Sequence, residues 1–391
     1  MNEQDAAPAQ APEAPPKPRH QANERAFACD GCGALQTFQP GTRTLECAFC
    51  GHETPIPERA SAQIREYPLR EALDRLAQAG PVSPTATRCP SCAAQFQFDP
   101  KQHAGECPFC ATPIVVNQLA LEDPDSPTRI HPKSLLPFDV DEQGARDGVS
   151  KWLGKLIFAP PKLRRYGRVG GLHGVYLPYW TYDSRTRSSY TGERGTVYYV
   201  NVPVTTVRNG RTVTVNRREA RVRWRRVSGT VARRFDDVLV GASKSLPRTL
   251  TDKLAPWDLA ALVPYDERYL SGFRSEVYEV SLDQGFEVAR GIMGGIIRRD
   301  VLRDIGGDRQ RVHSVQTEHF DTTFKHLLLP VWTASYEYRS KRFRLAVNAR
   351  TGRVVGERPW HWPSIVLAVA LGAGVIGGAL WWAHRAGLLQ G

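Results

Sequence analysis

Apolar residues recur along the chain at three different spacings, and each spacing predicts a different kind of element. From Ile365 to Ala383 the run "IVLAVALGAGVIGGALWWA" is unbroken and carries no charge. At about 1.5 Å rise per residue, a helix of this length nearly matches a hydrocarbon core of about 30 Å. Trp360 and Trp362 precede the run and Trp381 and Trp382 close it, as interfacial aromatic belts would. The pattern predicts one C-terminal transmembrane helix over residues 364–384. Spacings of three and four predict shorter amphipathic helices. Leu69, Ala72, Leu73 and Leu76 follow Pro68, giving a connecting helix over 65–79. Ala145, Val149, Trp152, Leu153 and Leu156 follow Asp141, a residue suited to an N-cap. Strict alternation appears in "VPVTTVRNGRTVTVNRREARVRWRR", centred on Asn209-Gly210, and predicts a β-hairpin over 196–227.

Between residues 133 and 360 these signals combine into one mixed α+β domain with an antiparallel sheet, built from two related halves. The first half runs from Leu135–Val140 through Asp141 and a helix to "VYLPYWTYD". The second runs from Val277–Leu282 through Asp283 and a helix bearing Phe286, Ala289, Met293 and Ile297 to "LLLPVWTASYEY". Both contain Leu-Pro-x-Trp-Thr, and both later carry Gly-Glu-Arg. Proline removes a donor from a ladder, so Pro178 and Pro330 predict an edge or a bulge at each strand. Residues 1–25 are rich in Ala and Pro without apolar periodicity, which predicts a disordered tail. "LEDPDSPTRIHP" marks a linker ahead of the main domain.

All 8 cysteines fall in Cys-x-x-Cys pairs and form two copies of one module. Cys29, Cys32, Cys47 and Cys50 make the first, over 26–58; Cys89, Cys92, Cys107 and Cys110 make the second, over 86–117. "CDGCGALQTFQPGTRTLECAFCGHETPI" and "CPSCAAQFQFDPKQHAGECPFCATPIVV" align along their length. The spacing lets two knuckles face each other and set four thiolates tetrahedrally around a Zn²⁺ ion. Two zinc ribbons with two structural Zn²⁺ sites are therefore expected. A module this small cannot bury enough apolar surface to fold alone, so metal supplies about 10 kcal/mol of its folding free energy. The competing reading is a disulfide framework, which needs an oxidising compartment. Residues 1–25 hold no apolar run of the kind a signal peptide has, which favours reduced thiolates. Gly33 and Gly51 follow the second cysteine of each knuckle in the first module, where positive φ is expected; Ala93 and Ala111 stand there in the second, which predicts weaker metal binding. His52 and His103 lie near the knuckles, but four cysteines complete each site.

Charge adds orientation and candidate ligands. The chain has 391 residues and a formal charge of +12, which points to anionic partners. Arg339, Lys341, Arg342, Arg344, Arg350, Arg353 and Arg358 precede the apolar run and only Arg385 follows it. Positive-inside bias then places the N-terminal domains in the cytoplasm, on a single-pass, tail-anchored protein of the bacterial inner membrane. Within the run, Ala370, Gly374 and Gly378 form a small-xxx-small stripe suited to close helix packing and a homodimer. The hairpin carries Arg208, Arg211, Arg217, Arg218, Arg221, Arg223, Arg225 and Arg226 against one acid, Glu219. Alternation places a basic stripe on one of its faces, a candidate for lipid headgroups or nucleic-acid phosphates; a solvated strand face is the plainer reading.

The chain lacks Gly-x-x-x-x-Gly-Lys-Ser/Thr, Gly-x-Gly-x-x-Gly, His-Glu-x-x-His and Gly-x-Ser-x-Gly. With every cysteine assigned to metal, no thiol is left for nucleophilic catalysis. Asp236-Asp237 and the histidines His313, His319 and His326 are the residues that could in principle form a catalytic cluster. Neighbouring strand residues point to opposite faces, so the two aspartates are not expected to act together. No catalytic residue is assigned.

The stretches "FAPP", "GVYLPYWTYDSRTRSSYTGERG", "WRRVSGTVARRFDDVLVGASKSLP", "LAPWDLAALVPYDERYLSGFRSE", "RDIGGDRQRVHS" and "TFKHLLLPVWTASYEYRSKRFRLAVNARTGRVVGERP" resemble a family of bacterial membrane-anchored zinc-ribbon proteins of poorly defined function. The resemblance runs from about residue 89 to the apolar run. Members often carry the label primosomal protein N-prime, superfamily II helicase or general-transcription-factor-type zinc ribbon. The motor motifs of a helicase are absent here, so helicase activity is not carried over. The expected function is a non-catalytic, membrane-anchored adaptor that meets a protein partner and membrane lipid at the cytoplasmic face. The alternative is a nucleic-acid-binding protein tethered to the membrane, associated with replication or transcription; a third is an uncharacterised hydrolase.

Overall fold

The computed structural model of the chain describes residues 24–25, 27–57, 64–78, 86–88, 95–97, 102–106, 113–116, 130–156, 171–208, 211–338, 341–358 and 362–385. β1 (Glu24–Arg25) is followed by β2 (Gln36–Phe38), β3 (Thr44–Cys47) and β4 (Glu53–Pro55), an antiparallel sheet of its own. β5 (Tyr67–Pro68) leads into α1 (Leu69–Gln78), the expected connecting helix. Its Leu69 and Ala72 are buried against the main domain, with Leu73 and Leu76 packed beside them. β6 (Ala86–Arg88) pairs with β7 (Gln95–Gln97), and β8 (Gln102–Glu106) with β9 (Pro113–Val116).

The main domain then contributes β10 (Ser134–Leu135), α2 (Glu142–Gly154), β11 (His173–Arg208), β12 (Arg211–Gly241), β13 (Val263–Pro264) and β14 (Arg274–Glu276). α3 (Leu282–Ile305), β15 (Arg309–Tyr338), β16 (Lys341–Asn348), β17 (Val354–Gly356) and α4 (Trp362–Arg385) complete it. The fold is mixed α+β, with a 12-stranded, mostly antiparallel sheet. β11 and β15 form its central pair. The predicted hairpin is present, and Arg208 faces Arg211 across residues 209–210. Its arms are far longer than alternation suggested, reaching from 173 to 241.

The two halves suspected from sequence are related by a pseudo-twofold axis. Leu177 and Leu329, equivalent residues of the two Leu-Pro-x-Trp motifs, are direct partners in the β11–β15 ladder. Each motif then holds the other half's helix. Trp180 Nε1 donates to the Val280 carbonyl at 2.9 Å, ahead of α3, and Trp332 Nε1 donates to the Val140 carbonyl at 2.8 Å, ahead of α2. The returning strands match too. The Ala242 N–H donates to the Pro178 carbonyl and the Ala349 N–H to the Pro330 carbonyl. The Ala242 carbonyl accepts from Glu279 and Val280, and the Ala349 carbonyl from Asp139 and Val140.

This symmetry corrects the reading of the two prolines. Neither lies at an edge strand or a bulge. β14 runs parallel to β11 at Val175 and Tyr176, and β12 takes over from Tyr179. β10 likewise runs parallel to β15 at Ser134 and Leu135, and β16 takes over at Val331. Pro178 and Pro330 therefore stand where the outer neighbour changes, a point at which the ladder uses a carbonyl and asks for no N–H.

Helix caps follow the local chemistry. Asp141 caps α2 by accepting from the Gly144 N–H at 2.8 Å. α3 is capped by Ser281 in a reciprocal capping box with Gln284, so Asp283 lies inside the first turn and is not the cap. α3 buries Leu282, Gly285, Ala289, Met293, Ile297, Val301 and Ile305, while Phe286 is only half-buried. Gly285 is required: a Cβ there would sit 2.4 Å from the Tyr182 hydroxyl.

α4 covers the stretch expected to span a membrane. Its positions from 369 to 382 are exposed. Among the described residues no helix is long and apolar enough to cross a membrane, so the expected span at 364–384 gains no support there. The side chains of residues 362–365, 367, 368 and 384 lie outside the described set.

The reciprocal indole bonds give a paired expectation. Trp180→Phe and Trp332→Phe each leave a carbonyl without its donor and should each lower stability by about 1–3 kcal/mol, with similar values, in chemical denaturation. A large loss at one position with none at the other would break the equivalence of the halves.

Candidate metal centre and the Lys325 cluster

The first cysteine module is assembled as its spacing predicts. The four sulfurs of Cys29, Cys32, Cys47 and Cys50 lie within 4.8 Å of one another. Cys29 and Cys50 are 3.5 Å apart at sulfur, as are Cys32 and Cys47. A disulfide needs about 2.05 Å, so these are four free thiols. A tetrahedron of thiolates about 2.3 Å from a zinc ion has edges of about 3.8 Å, so the set fits a metal ion. The Gly31 amide points at Cys29 Sγ, and the Cys50 and Phe49 amides draw the Cys47 thiol down to about 6. Gly33 and Gly51 adopt φ of +74° and +69°, the left-handed turn anticipated for each knuckle. The side chain of His52 is not part of the group; its carbonyl instead accepts from Gln36 and from the Cys47 amide.

This ribbon is docked, not tethered. Phe38 is buried with its ring edge-on to Tyr269, 5.1 Å between centroids, in the same core as Phe138 and Trp332. The Phe38 N–H donates to the Ser271 carbonyl at 3.0 Å, and Ser271 Oγ returns a bond to the Gln36 carbonyl at 2.7 Å. A few residues on, β14 pairs with β8 of the second module. Both modules thus grip one segment, 265–276. Cys89, Cys92, Cys107, Cys110, Ala93 and Ala111 lie outside the described residues, as does the side chain of His103; the second module is represented by its strands, with Ala104 buried in the core.

By register Arg208, Arg211, Arg217, Arg221, Arg223 and Arg225 fall on one face of the hairpin, and Arg218 and Arg226 on the other. Consecutive residues of a strand must point apart, so the Arg217-Arg218 and Arg225-Arg226 pairs are split. Arg218 lies over the Tyr199 ring at 4.0 Å and Arg223 over Tyr198 at 5.4 Å. The side chains of Arg208 and Arg211 lie outside the described set. On α4, Ala370, Gly374 and Gly378 are exposed, and a Cβ at either glycine would meet nothing within 4 Å.

A polar centre that periodicity argued against lies under the linker between the ribbons. Lys325, its side chain 9% exposed, contacts Asp237 at 2.6 Å, Glu66 at 3.2 Å and Asp183 at 3.6 Å. Thr323 donates to Glu66 at 2.8 Å, and the Asp237 amide donates to Asp183. Carboxylate oxygens of Glu66, Asp183 and Asp236 lie within 4.8 Å of one another. Asp236 and Asp237 thus reach the same cluster, contrary to expectation. The cause is a β-bulge: the register slips between Tyr182 and Ser184, so both aspartates face Asp183, and Asp237 takes φ of +52°. Burial lifts the Asp183 carboxyl to about 6, against the Asp237 amide and Lys325. Burial pulls the Lys325 ammonium down, but Asp237, Asp183 and Glu66 outweigh it and hold it at about 12. Lys325 gives its shortest contact to Asp237, which leaves Asp183 short of counter-charge. His313 faces Glu193 at 3.8 Å, His319 lies beside Phe286, and His326 is buried with Nδ1 on the Ile130 carbonyl; none joins this cluster.

Compared with known proteins, the chain is similar to the uncharacterized protein YdjG of Bacillus subtilis (strain 168), at 22% identity over 346 residues, which cover 85% of this chain and 89% of that one. No family model matches the chain. No solved structure matches it.

Asp183 binds its proton more tightly folded than unfolded, so its ionisation costs stability as pH rises from about 4 to about 6, and that loss persists above. Asp183→Asn should therefore gain stability relative to the parent across this window in urea titrations at pH 4, 5, 6 and 7; a flat difference would remove the assignment. Lys325→Met leaves the carboxylates uncompensated and should cost about 3–5 kcal/mol at pH 7.

Proposed function

We propose that the chain is a non-catalytic adaptor, anchored to the bacterial inner membrane by α4, that meets a protein partner on the cytoplasmic side through its zinc knuckles. The observation carrying this reading is Phe49. It stands between Cys47 and Cys50 at the tip of a knuckle and is 85% exposed. A large apolar side chain held in water on a rigid, metal-clamped loop is suited to anchoring a partner. Phe109 occupies the same place between Cys107 and Cys110, so the repeat supplies a second anchor.

In this reading zinc fills both cysteine sets as a closed structural ion and takes no part in chemistry. The apolar run 365–383 spans the bilayer, with its preceding basic residues on the cytoplasmic side. The stripe of Ala370, Gly374 and Gly378 offers a packing face for a second copy. The nucleic-acid reading is favoured by one observation, the six arginines sharing a hairpin face by register. Salt separates the two: phosphate contacts weaken steeply as salt rises through counterion release, and an apolar knuckle contact does not.

Elemental analysis of purified chain should give about two zinc ions per chain; about one would leave the second module without its metal. Phe49→Ser should keep the zinc and lower capture of the partner from detergent extracts at least about tenfold, unaffected by nuclease. Partners indifferent to Phe49→Ser but lost with nuclease would replace this reading by the nucleic-acid one.

A further inference from the structure

Past Gly195, which pairs with Arg309 at the start of β15, the arms 196–208 and 211–223 pair, among the described residues, only with each other. Thirteen residue pairs, from Thr196 with Arg223 to Arg208 with Arg211, form this tongue. At about 3.3 Å per residue it is about 40 Å long. α3 ends before it, at Ile305, and among the described residues no helix covers either face of the tongue.

The two faces differ in kind. One carries Tyr198, Val200, Val202 and Val204 from β11 and Val213, Val215, Arg217, Glu219, Arg221 and Arg223 from β12, with Glu219 3.8 Å from Arg221. On it the valines form a band along the ribbon: Val204 faces Val215, with Arg217, Arg221 and Arg223 toward the root and the Arg208–Arg211 pair at the tip. Val204, Val213 and Val215 are 37%, 38% and 48% exposed. The opposite face near the tip carries Asn201, Pro203, Thr205, Thr214, Asn216 and Arg218. Five of the tongue's eight valines fall on this face, a contiguous apolar band that water alone gives no reason for.

We infer that this face lies on an anionic lipid bilayer, with Val204, Val213 and Val215 at the boundary of the acyl chains and Arg217, Arg221 and Arg223 on the lipid phosphates. Nucleic acid would use the arginines but leaves the valines in water. A second copy packed valine to valine would set the arginines against their own kind. A bilayer surface satisfies both groups at once, because its phosphates and its apolar boundary lie a few ångströms apart. The tongue rests flat and shallow, since the outer N–H and C=O groups of a two-stranded ribbon need water and could not enter hydrocarbon. The inference deepens the membrane-anchored reading, which it needs only to bring the chain to a bilayer.

The test uses the full chain with vesicles of phosphatidylcholine and of phosphatidylcholine mixed with phosphatidylglycerol, followed by flotation and by amide hydrogen exchange of residues 196–223. Flotation with neutral vesicles reports α4. Exchange in the tongue reports the proposal. The outward amides should slow at least about tenfold on phosphatidylglycerol vesicles and stay unchanged on neutral ones. Neutralising one arginine should weaken the effect about fivefold. Arg217→Glu with Arg221→Glu should abolish it, and Val204→Ser with Val215→Ser should reduce it while leaving both arginines in place. Flotation only with phosphatidylglycerol, together with tongue protection, would defeat the anchor and keep this inference. Equal protection on both vesicles, none on either, or protection by duplex DNA in place of phosphatidylglycerol would overturn it.

Discussion

The antiparallel pairing of β11 with β15 through Leu177 and Leu329 is the constraint from which the other contacts follow. Once these leucines are partners, Trp180 and Trp332 fall where each reaches across to the carbonyl ahead of the opposite helix. The helices are then held by their entry points as well as by their apolar faces. Leu135, Leu177, Leu328 and Leu329 are fully or almost fully buried around the axis, so the pairing is made in a dry core where each ladder bond is costly to leave unmade. The halves diverge only away from the axis, where β12 continues for 31 residues and β16 stops after 8.

Docking of the first ribbon changes what a metal ion held by its four cysteines would do. A ribbon free in solution needs metal to fold, and here Phe38, Leu45 and Ile56 also share a core with the main domain. The cysteine site then clamps the part of the module that projects outward, from Cys29 to Gly33 and from Cys47 to Gly51. With the metal bound, Phe49 would be held at a fixed place relative to the sheet, and a partner that met it would lose little freedom on the protein's side. The arginines of β12 have a structural use beside any ligand. Among the described residues β12 pairs only with β11, and a row of charges along such an edge blocks pairing with another chain.

Much of this was legible in the residues, and the exceptions have physical causes. Cysteine spacing was enough for the first ribbon, and Gly33 and Gly51 were enough for its turns. Asn209-Gly210 located the hairpin, but its length was hidden because the positions facing α3 include Ser184, Thr186 and Ser188, which break the alternation of apolar and polar residues. The repeated Leu-Pro-x-Trp was visible as a short similarity; only the register turned it into symmetry. The Lys325 cluster was missed because its members come from residues 66, 183, 236, 237 and 325, and because a bulge overrides the rule that neighbours point apart. The trace left in the sequence was the Asp-Asp pair, since aspartate is among the few residues that tolerate positive φ.

The exchange of indole bonds between the halves also sets the order of events at the ribosome. A nascent chain that has emerged as far as residue 270 owns Trp180 but not the Val280 carbonyl, and β11 has no β15 to pair with. Its first half cannot close until the second has been made, so bonds between residues 100 and 192 positions apart must form before the rest is stable. A molecule put together this way completes itself late in synthesis, and delays in translating residues 282–350 should weigh on its yield more than equal delays upstream.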